Sequence, residues 1–293
     1  MNGPRARVGL PTLREERSGV FNRAFVVELA DGARVEAVLY RGDTLCVSSQ
    51  VGCAVRCPFC ASGANGLHRP LSLDELTGQL EAVRALGEAP ARVTVSGVGE
   101  PLHNAAAVRA FLAWCRAQGI APSLTTSGGP VARLREALVE WPHNGLTISI
   151  HAGTEATRAQ LVPNAPSLAE LFATLGAVVP TLSRTRRKKT ALAYLLVADR
   201  NDGDAELLAF AAHARPLGLC VHLYALNPVP TSDALAVSRG AYERAYARLT
   251  DAGLVARMSS RARVEAQGGC GTLVAREAEG AKANLTSPSC SRR

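Results

Sequence analysis

Hydrophobic and polar positions along the chain follow two periods in turn. Short apolar runs with β spacing are followed by longer stretches, rich in Ala, Leu, Glu and Arg, whose apolar residues recur at helical spacing. The predicted strands are 44–50, 92–97, 122–127, 145–151, 190–197 and 219–226, with a short one at 254–259. The predicted helices are 72–87, 104–118, 130–140, 167–179, 203–215 and 238–252.

Two local signals place the first elements. Residues 22–40 contain two β-rich runs on either side of Asp31-Gly32, a dipeptide typical of a hairpin turn. Ser72 followed by Glu75 is the pattern of a capping box, which predicts that the first helix begins there.

Six strands in alternation with helices predict a parallel sheet with right-handed crossovers. We therefore predict an α/β fold, a partial (β/α)6 TIM-like barrel, with an open doubly wound sheet as the alternative. The predicted divisions are an N-terminal extension and β-hairpin (1–43), the barrel with its C-terminal segment (44–275), and a polar, aperiodic tail expected to be disordered (276–293). In a barrel the chemistry lies at the C-terminal ends of the strands.

Composition and charge narrow the class of protein. With 293 residues, 47% of them hydrophobic and 20% charged, the chain can bury a full core and is unlike a disordered protein. A net charge of +8 fits a polyanionic partner, with nucleic acid the leading candidate, or an ordinary solvated basic surface. No apolar leader opens the chain, and the longest apolar run, 191–198, is too short for a bilayer. We expect a cytoplasmic protein with no membrane partner.

Three cysteines carry the clearest chemical signal. Cys53, Cys57 and Cys60 have the spacing C-x3-C-x2-C directly after the first predicted barrel strand. Three thiolates can hold three irons of a 4Fe–4S cluster and leave the fourth iron open for a small molecule. Tetrahedral zinc sites use C-x2-C pairs and a fourth ligand, so the spacing favours a cluster over zinc or inert thiols. A cluster also indicates a reducing compartment.

Other reactive residues are ambiguous when each is taken alone. Cys46, within the first barrel strand, has the pattern of a small buried hydrophobe. Cys270, between glycines, has the pattern of a stray thiol, and Glu36 that of a solvent-facing strand carboxylate. The basic run 184–189 precedes a strand and is predicted to be a solvated loop on the face away from the active site.

Taken together, the motifs resemble the RlmN/Cfr-type radical SAM RNA (adenine) methyltransferases, in order and rough spacing, from about residue 22 to 275. The motifs are TLCVSSQVGCAVRCPFCASG (44–63), GVGEPLHN (97–104), TTSGG (125–129), TISIHA (147–152), LVPN (161–164), NDG (201–203), LNPVP (226–230) and GGCGTL (268–273). Members of that family usually begin with a helical accessory domain. Only some 20 residues precede the hairpin here, so the resemblance implies that most of this domain is missing.

The resemblance implies two cofactors, one 4Fe–4S cluster held by the cysteine triplet and S-adenosylmethionine bound to its open iron. Glu100 would accept hydrogen bonds from the methionyl amino group, and Gly99 would let the backbone come close. The remaining residues that the resemblance assigns to the cofactor pocket are Thr125, Ser149, Ile150, His151 and Asn227.

The resemblance also implies a mechanism, in which an adenine is methylated at ring carbon 2 or carbon 8. One S-adenosylmethionine would methylate Cys270, and a radical generated from a second would activate that methyl group for addition to the base. Cys46 would then free the product through a transient disulfide, with Glu36 as proton acceptor. The implied partners are rRNA or tRNA and a flavodoxin- or ferredoxin-type electron donor.

A radical enzyme acting on a peptide or a small metabolite is the competing interpretation. The short N-terminal region favours it, and so does the altered segment before Cys270, RARVEAQGGCGTL. The basic charge and the pairing of Cys46 with Cys270 favour RNA.

Overall fold

The computed structural model describes residues 11–229, 231–263 and 265. Twelve strands lie within these residues: β1 (Thr12–Ser18), β2 (Asn22–Glu28), β3 (Arg34–Tyr40), β4 (Thr44–Val47), β5 (Gln50–Gly52), β6 (Leu67–Pro70), β7 (Arg92–Val95), β8 (Ala121–Thr126), β9 (Gly145–Ser149), β10 (Thr190–Leu196), β11 (Cys220–Ala225) and β12 (Ala256–Met258). The α-helices are α1 (Leu73–Arg84), α2 (Ala105–Ala117), α3 (Val131–Val139), α4 (Glu155–Leu161), α5 (Leu168–Val178), α6 (Arg184–Lys188), α7 (Asp204–Ala214) and α8 (Arg239–Asp251).

Ten of these strands form one sheet in the order β1-β2-β3-β4-β7-β8-β9-β10-β11-β12. The pairs from β4 to β12 are parallel, and those from β1 to β4 are antiparallel. Strands β5 and β6 form a separate two-stranded sheet. The six predicted parallel strands, the short seventh strand and the hairpin around Asp31-Gly32 are confirmed, and with them the partial (β/α) barrel.

Alternation along each barrel strand separates the core from the site. In β8, Leu124 is buried in the main hydrophobic cluster, while Thr125 faces the inside of the barrel. In β9, Leu146 and Ile148 belong to the same cluster and Ser149 faces inward. The helices cover the apolar face, so the polar inner side chains are left at the C-terminal ends of the strands.

The predicted helices are all present within a few residues, and Ser72 with Glu75 forms the expected capping box. Three parts of the fold were not predicted: strand β1, the β5–β6 sheet and helix α4. The prediction of a loop for the basic run 184–189 is wrong, because Arg184–Lys188 form the short helix α6. The Ser183 hydroxyl caps that helix by accepting from the Arg186 amide. Straight-chain Arg and Lys lose little rotamer freedom in a helix, which suits this sequence.

Among the described residues the sheet does not close on itself, and Ala262 and Glu265 lie across its opening. The Asn22 amide, at the start of β2, donates to the carbonyl of Ala262. The Glu265 carboxylate accepts from the Phe21 amide at 3.2 Å. The Asn227 amide donates to the carbonyl of Glu265 at 2.9 Å. The two sides of the opening are therefore held together by Ala262 and Glu265.

In the part of the chain that the structure describes, no helix is both long and apolar enough to cross a bilayer.

Candidate active site

The cysteine triplet lies on a tight loop between β5 and β6. The Cys60 amide donates to the carbonyl of Cys57 at 3.0 Å, and the Cys53 amide to that of Gly66 at 2.9 Å. A Cβ on Gly63 would lie 2.7 Å from the Arg56 Cα, so only glycine allows the loop to fold back on itself there. The spacing seen in the sequence thus produces one compact loop.

The LVPN motif supports this loop from outside. Leu161 and Val162 pack with Cys53 and Val55 in a small hydrophobic cluster. The Asn164 amide donates to the carbonyl of Ala54 at 3.0 Å. The LVPN motif, which in the sequence indicated only the family resemblance, therefore packs against the cysteine loop and stabilises it.

The three thiols interact with one another. Burial and, secondarily, the neighbouring Cys60 raise the pKa of Cys53 to about 11. Burial, then Cys60 and Cys53, hold the pKa of Cys57 well above its ordinary value, although its side chain retains some exposure. No group of three Cys, His, Asp or Glu side chains in the described part of the chain suits a single metal ion. Cluster cysteines each bind a different iron, so that finding does not conflict with a 4Fe–4S site.

A cavity of about 260 Å³ opens beside the cysteine loop at the C-terminal ends of the barrel strands. Its lining includes the following predicted site residues: Cys60, Thr125, Ser149, His151 and Asn227. Among the lining residues that were not predicted from the sequence are Tyr40, Ser96, Tyr224 and Arg263. The inward period-2 positions of β3, β7 and β11 could have indicated the first three of these.

His151 is held as a neutral ring. Its Nδ1 accepts a hydrogen bond from the Leu195 amide at 3.0 Å, so the ring proton lies on Nε2. Burial, reinforced by the positive charge of Arg158, lowers the pKa of His151 to about 3. The residue lines the cavity and can donate from Nε2 to a polar ligand.

Glu100 is buried and engaged by the chain itself. One carboxylate oxygen accepts from the Leu102 amide and the Thr126 hydroxyl, and the other from the Ser127 amide and hydroxyl. Four donors occupy the four lone-pair sites of a carboxylate. Glu100 thereby fixes the loop after β7 to the end of β8. For Glu100 to accept a hydrogen bond from a methionyl amino group, Thr126 or Ser127 would have to release one of its own hydrogen bonds to the carboxylate.

Gly99 is required by its close neighbours. Its φ is +111°, and a Cβ would lie 2.7 Å from the Gln50 Cβ and 2.8 Å from the Ser49 Oγ. The close neighbours of Gly99 are thus residues 49–50, and its approach to a bound cofactor stays a prediction. Gly97, two residues earlier, is the glycine that lines the cavity.

Ile150, another residue of the predicted pocket, lies on the core face of the sheet. Its side chain is fully buried in the main core cluster, and its amide and carbonyl bond to Ala193 and Arg158. The backbone amide and carbonyl of Ile150 are therefore both used within the fold. Its side chain faces the core because Ser149 faces the cavity and successive strand residues point to opposite faces.

A buried arginine that the sequence did not indicate orders the middle of the site. Arg158 is 1% exposed, and its guanidinium donates to the carbonyls of Ser127, Ser149, Ile150 and Pro166. Burial lowers its pKa to about 10, while the Cys57 thiol and two carboxylates act in the opposite direction. The fork geometry of arginine, with five donors, allows one side chain to fix two strand ends.

Asn201, in the NDG motif, performs the same task for the next pair of strands. Its amide nitrogen donates to the carbonyls of His151 and Leu195, and its oxygen accepts from the Val197 amide. The positive φ of His151, 59°, is held by this contact.

Cys46 and Glu36 share the inner face of the sheet. Cys46 is 1% exposed and its Sγ lies 3.2 Å from the Oγ of Ser96, which lines the cavity. Val38 pairs with Cys46 across β3 and β4, and Glu36, two residues before Val38, projects to the same face. Glu36 is 1% exposed, so the reading as a solvent-facing carboxylate is wrong. Cys270 lies outside the described residues.

A family comparison fits this arrangement. The model of the radical SAM superfamily matches residues 47–209, more than half of the chain. The chain belongs to the radical SAM superfamily. A "Probable RNA methyltransferase" of Methylibium petroleiphilum is 37% identical over 281 residues, covering 94% of this chain and 78% of the relative. The "Dual-specificity RNA methyltransferase RlmN" of Sorangium cellulosum is 36% identical over 247 residues, covering 79% of this chain and 61% of the relative.

Solved structures of radical SAM proteins agree with the fold. A radical SAM methyltransferase from Sphaerobacter thermophilus has a TM-score of 0.79 at 28% identity, covering 90% of this chain and 81% of that one. SuiB of Streptococcus suis, bound to its precursor peptide SuiA, has a TM-score of 0.58 at 12% identity, covering 74% and 48%. The second match concerns the fold alone. Within the superfamily, the chain is an RlmN-type radical SAM methyltransferase.

The site fits the cofactors of a radical SAM enzyme. Three mutually interacting thiols lie on one loop, and Cys60 lines the adjacent cavity. The Ser62 hydroxyl, in the same loop, is buried and has no hydrogen-bond partner among the described residues. A cluster with a bound small molecule would supply both the missing ligands of the thiols and an acceptor near that hydroxyl.

Proposed function

We propose that this radical SAM enzyme methylates RNA at adenine carbon 2 or carbon 8 through a methyl-cysteine at Cys270. The relatives named above are RNA methyltransferases by name, and the net charge of +8 suits a polyanionic substrate. The observation that carries the proposal is the position of Cys46, whose sulfur contacts Ser96 at the cavity lining. A radical enzyme that used the cysteine triplet alone would have no need for a thiol there.

The cofactor residues of the proposal are Cys53, Cys57 and Cys60 for the cluster, and Thr125, Ser149, His151 and Asn227 for S-adenosylmethionine. When bound, these cofactors supply the methyl group and the radical that activates it. Thr125 and Ser149 contribute hydroxyls from neighbouring strand ends, and His151 contributes a neutral N–H donor. Glu100, Gly99, Arg158 and Asn201 hold the loops and strand ends that carry these groups.

The cysteine pair divides the remaining chemistry. Cys270 accepts the methyl group and presents it to the adenine ring. Once the base is attached, Cys46 attacks the sulfur of Cys270. A disulfide forms as the sulfur–carbon bond to the base breaks, and the released carbon takes up a proton to become the methyl group. An external dithiol reductant then returns both cysteines to thiols. Glu36, on the same inner face as Cys46, accepts the proton lost in product release.

Chain length is compatible with this role for Cys270. Glu265 is bound at the cavity rim by Asn227. Cys270 follows Glu265 by five positions, which limits the distance between their Cα atoms to about 18 Å. RNA and an external one-electron reductant of the flavodoxin or ferredoxin type are the partners of the proposed reaction.

The experiment is nucleoside analysis of RNA from a strain lacking the gene, after incubation with reconstituted enzyme, S-adenosylmethionine and a reductant. We expect methyladenosine with the methyl group on carbon 2 or carbon 8, together with an S-methylated Cys270 peptide in the recovered protein. Cys115→Ala, in the buried face of helix α2 and outside the cavity lining, is the matched control and should retain both signals. An unmodified nucleoside pool with methylation of an added peptide or metabolite would overturn the proposal.

A further inference from the structure

Three planar side chains form a wall at one side of the cavity. The Arg263 guanidinium lies 5.2 Å from the ring centroid of Tyr40 and 5.4 Å from that of Tyr224. Both distances are within the range of cation–π contacts. The wall consists of Tyr40, Arg263 and Tyr224, and all three residues line the cavity. Tyr224 and Arg263 keep partial exposure, so planar surface is left for a ligand.

The wall lies at the opening of the barrel, beside Asn227 and away from the proposed cofactor residues Thr125 and Ser149. Tyr40 ends β3 and Tyr224 lies in β11, which are on the two sides of the opening that Ala262 and Glu265 bridge. Thr125 and Ser149 lie on β8 and β9, in the middle of the sheet order. A second ligand that enters through the opening would therefore meet the wall before it met these hydroxyls.

Behind the wall lies a basic groove on the outer surface. Tyr40 and Arg263 line both the cavity and this groove, which has a volume of about 280 Å³. Its charged lining residues are Arg41, Arg92, Arg263 and Asp43, so cations outnumber carboxylates by three to one. Arg92 and Asp43 form a long ion pair of 3.8 Å, which leaves the groove positive. A groove of this charge suits a phosphate backbone.

We propose that the wall is the subsite for the target base: the base stacks in the cavity against Tyr224 and Arg263, and the flanking phosphates lie in the outer groove. This proposal rests on the proposed function, because it takes RNA as the substrate. Enzymes that modify a base take it out of its stack, and unstacked bases bind to aromatic rings and to guanidinium planes. Tyr40 also contacts the guanidinium, at 5.2 Å from its ring centroid, and restricts its movement.

The wall also lies close to Cys46, the thiol proposed to release the product. Tyr40 packs in one small cluster with Val38 and Cys46. A base held against the wall would therefore lie near the sheet face that carries the Cys46 sulfur. No such aromatic surface is needed for a flexible aliphatic substrate, so the wall favours a planar heterocycle.

The test uses cluster-reconstituted protein and a short single-stranded oligoribonucleotide with one 2-aminopurine, a fluorescent analogue of adenine that is quenched on stacking. Binding to the wild type should quench the probe. Tyr224→Leu should abolish the quenching and weaken binding roughly tenfold, the order expected for one base–aromatic stack. Tyr224→Phe should retain both, because the ring remains. Tyr246→Leu, on the outer helix α8, is the control for loss of a tyrosine elsewhere.

Two further measurements separate the possible failures. Binding of S-adenosylhomocysteine by calorimetry should be equal in Tyr224→Leu and wild type, and a selective loss there would mean that the wall serves the cofactor. Quenching that survives in both Tyr224→Leu and Arg263→Gln would overturn the subsite while leaving RNA as the substrate. Absence of any binding of RNA to the wild type, measured by anisotropy, would instead overturn the proposed function.

Discussion

The guanidinium of Arg158 donates a 2.8 Å hydrogen bond to the carbonyl oxygen of Ser127 at the end of β8. The same side chain bonds to Ser149 and Ile150 at the end of β9. One buried cation therefore sets the spacing of the two strand ends that carry Thr125 and Ser149. Its contacts are to backbone carbonyls, so its role does not depend on the identity of the side chains that it positions.

Replacement of Arg158 should be strongly destabilising. Arg158→Met leaves four carbonyls without their donor in a buried region, and each unsatisfied group costs about 1–3 kcal/mol. We expect the free energy of unfolding to fall by about 3 kcal/mol or more in urea titrations. Arg133→Met, which removes an exposed ion pair with Glu136, should change it by less than about 0.5 kcal/mol. Equal effects of the two substitutions would contradict this account of Arg158.

Gly99 and Gly176 offer a matched pair of substitutions. Gly99→Ala forces a side chain into a positive φ and against 49–50, so we expect a loss of stability of about 1–3 kcal/mol and a displaced cavity loop. Gly176→Ala lies within helix α5, with nothing within 4 Å of the added Cβ, and should stabilise by up to about 1 kcal/mol. Thermal unfolding of the two variants would measure the contrast, and a neutral Gly99→Ala would show that the loop is not constrained as described.

The pKa of His151 predicts a loss of stability in acid. Its folded-state pKa is about 3 against an ordinary 6.5, so the unfolded chain binds the extra proton first as the pH falls. The contribution is complete above pH 6.5 and decreases as the pH falls from 6.5 towards 3, by about 1.4 kcal/mol per unit. His151→Asn removes the titration and tolerates the positive φ. Between pH 7 and pH 5 the wild type should lose about 2 kcal/mol more than this variant in urea titrations; parallel losses would argue against a buried neutral ring.

Substitution of the triplet tests the cluster. Cys53→Ala, Cys57→Ala or Cys60→Ala should each lower the iron and sulfide content and the brown colour after anaerobic reconstitution, since thiolates are the soft ligands of this loop. Cys220→Ala, a partly exposed thiol in β11 with no predicted role, is the control and should load fully. A Cys57→Ala protein with the wild-type content of iron and sulfide would contradict the assignment.

The sequence predicted the fold better than the detail of the site. Hydrophobic period and capping signals such as Ser72–Glu75 act over a few residues, so the barrel strands and main helices could be placed from them. The role of Arg158 could not be predicted in this way. Nothing in the sequence EATRAQL distinguishes an arginine on the exposed side of a helix from one whose side chain turns inward to four carbonyls. The partners of Glu100, and the burial of Glu36, likewise depend on residues brought together from distant parts of the chain.

The most direct test of the two-cysteine account compares Cys46→Ala with Cys270→Ala, each purified from cells that contain RNA. Cys46→Ala still accepts the methyl group and attacks the base but cannot release it, so it should run on a denaturing gel as a protein–RNA adduct that collapses with ribonuclease. Cys270→Ala lacks the methyl acceptor and should form no adduct. If neither variant carries RNA and both retain activity, the methyl-cysteine mechanism is wrong for this enzyme.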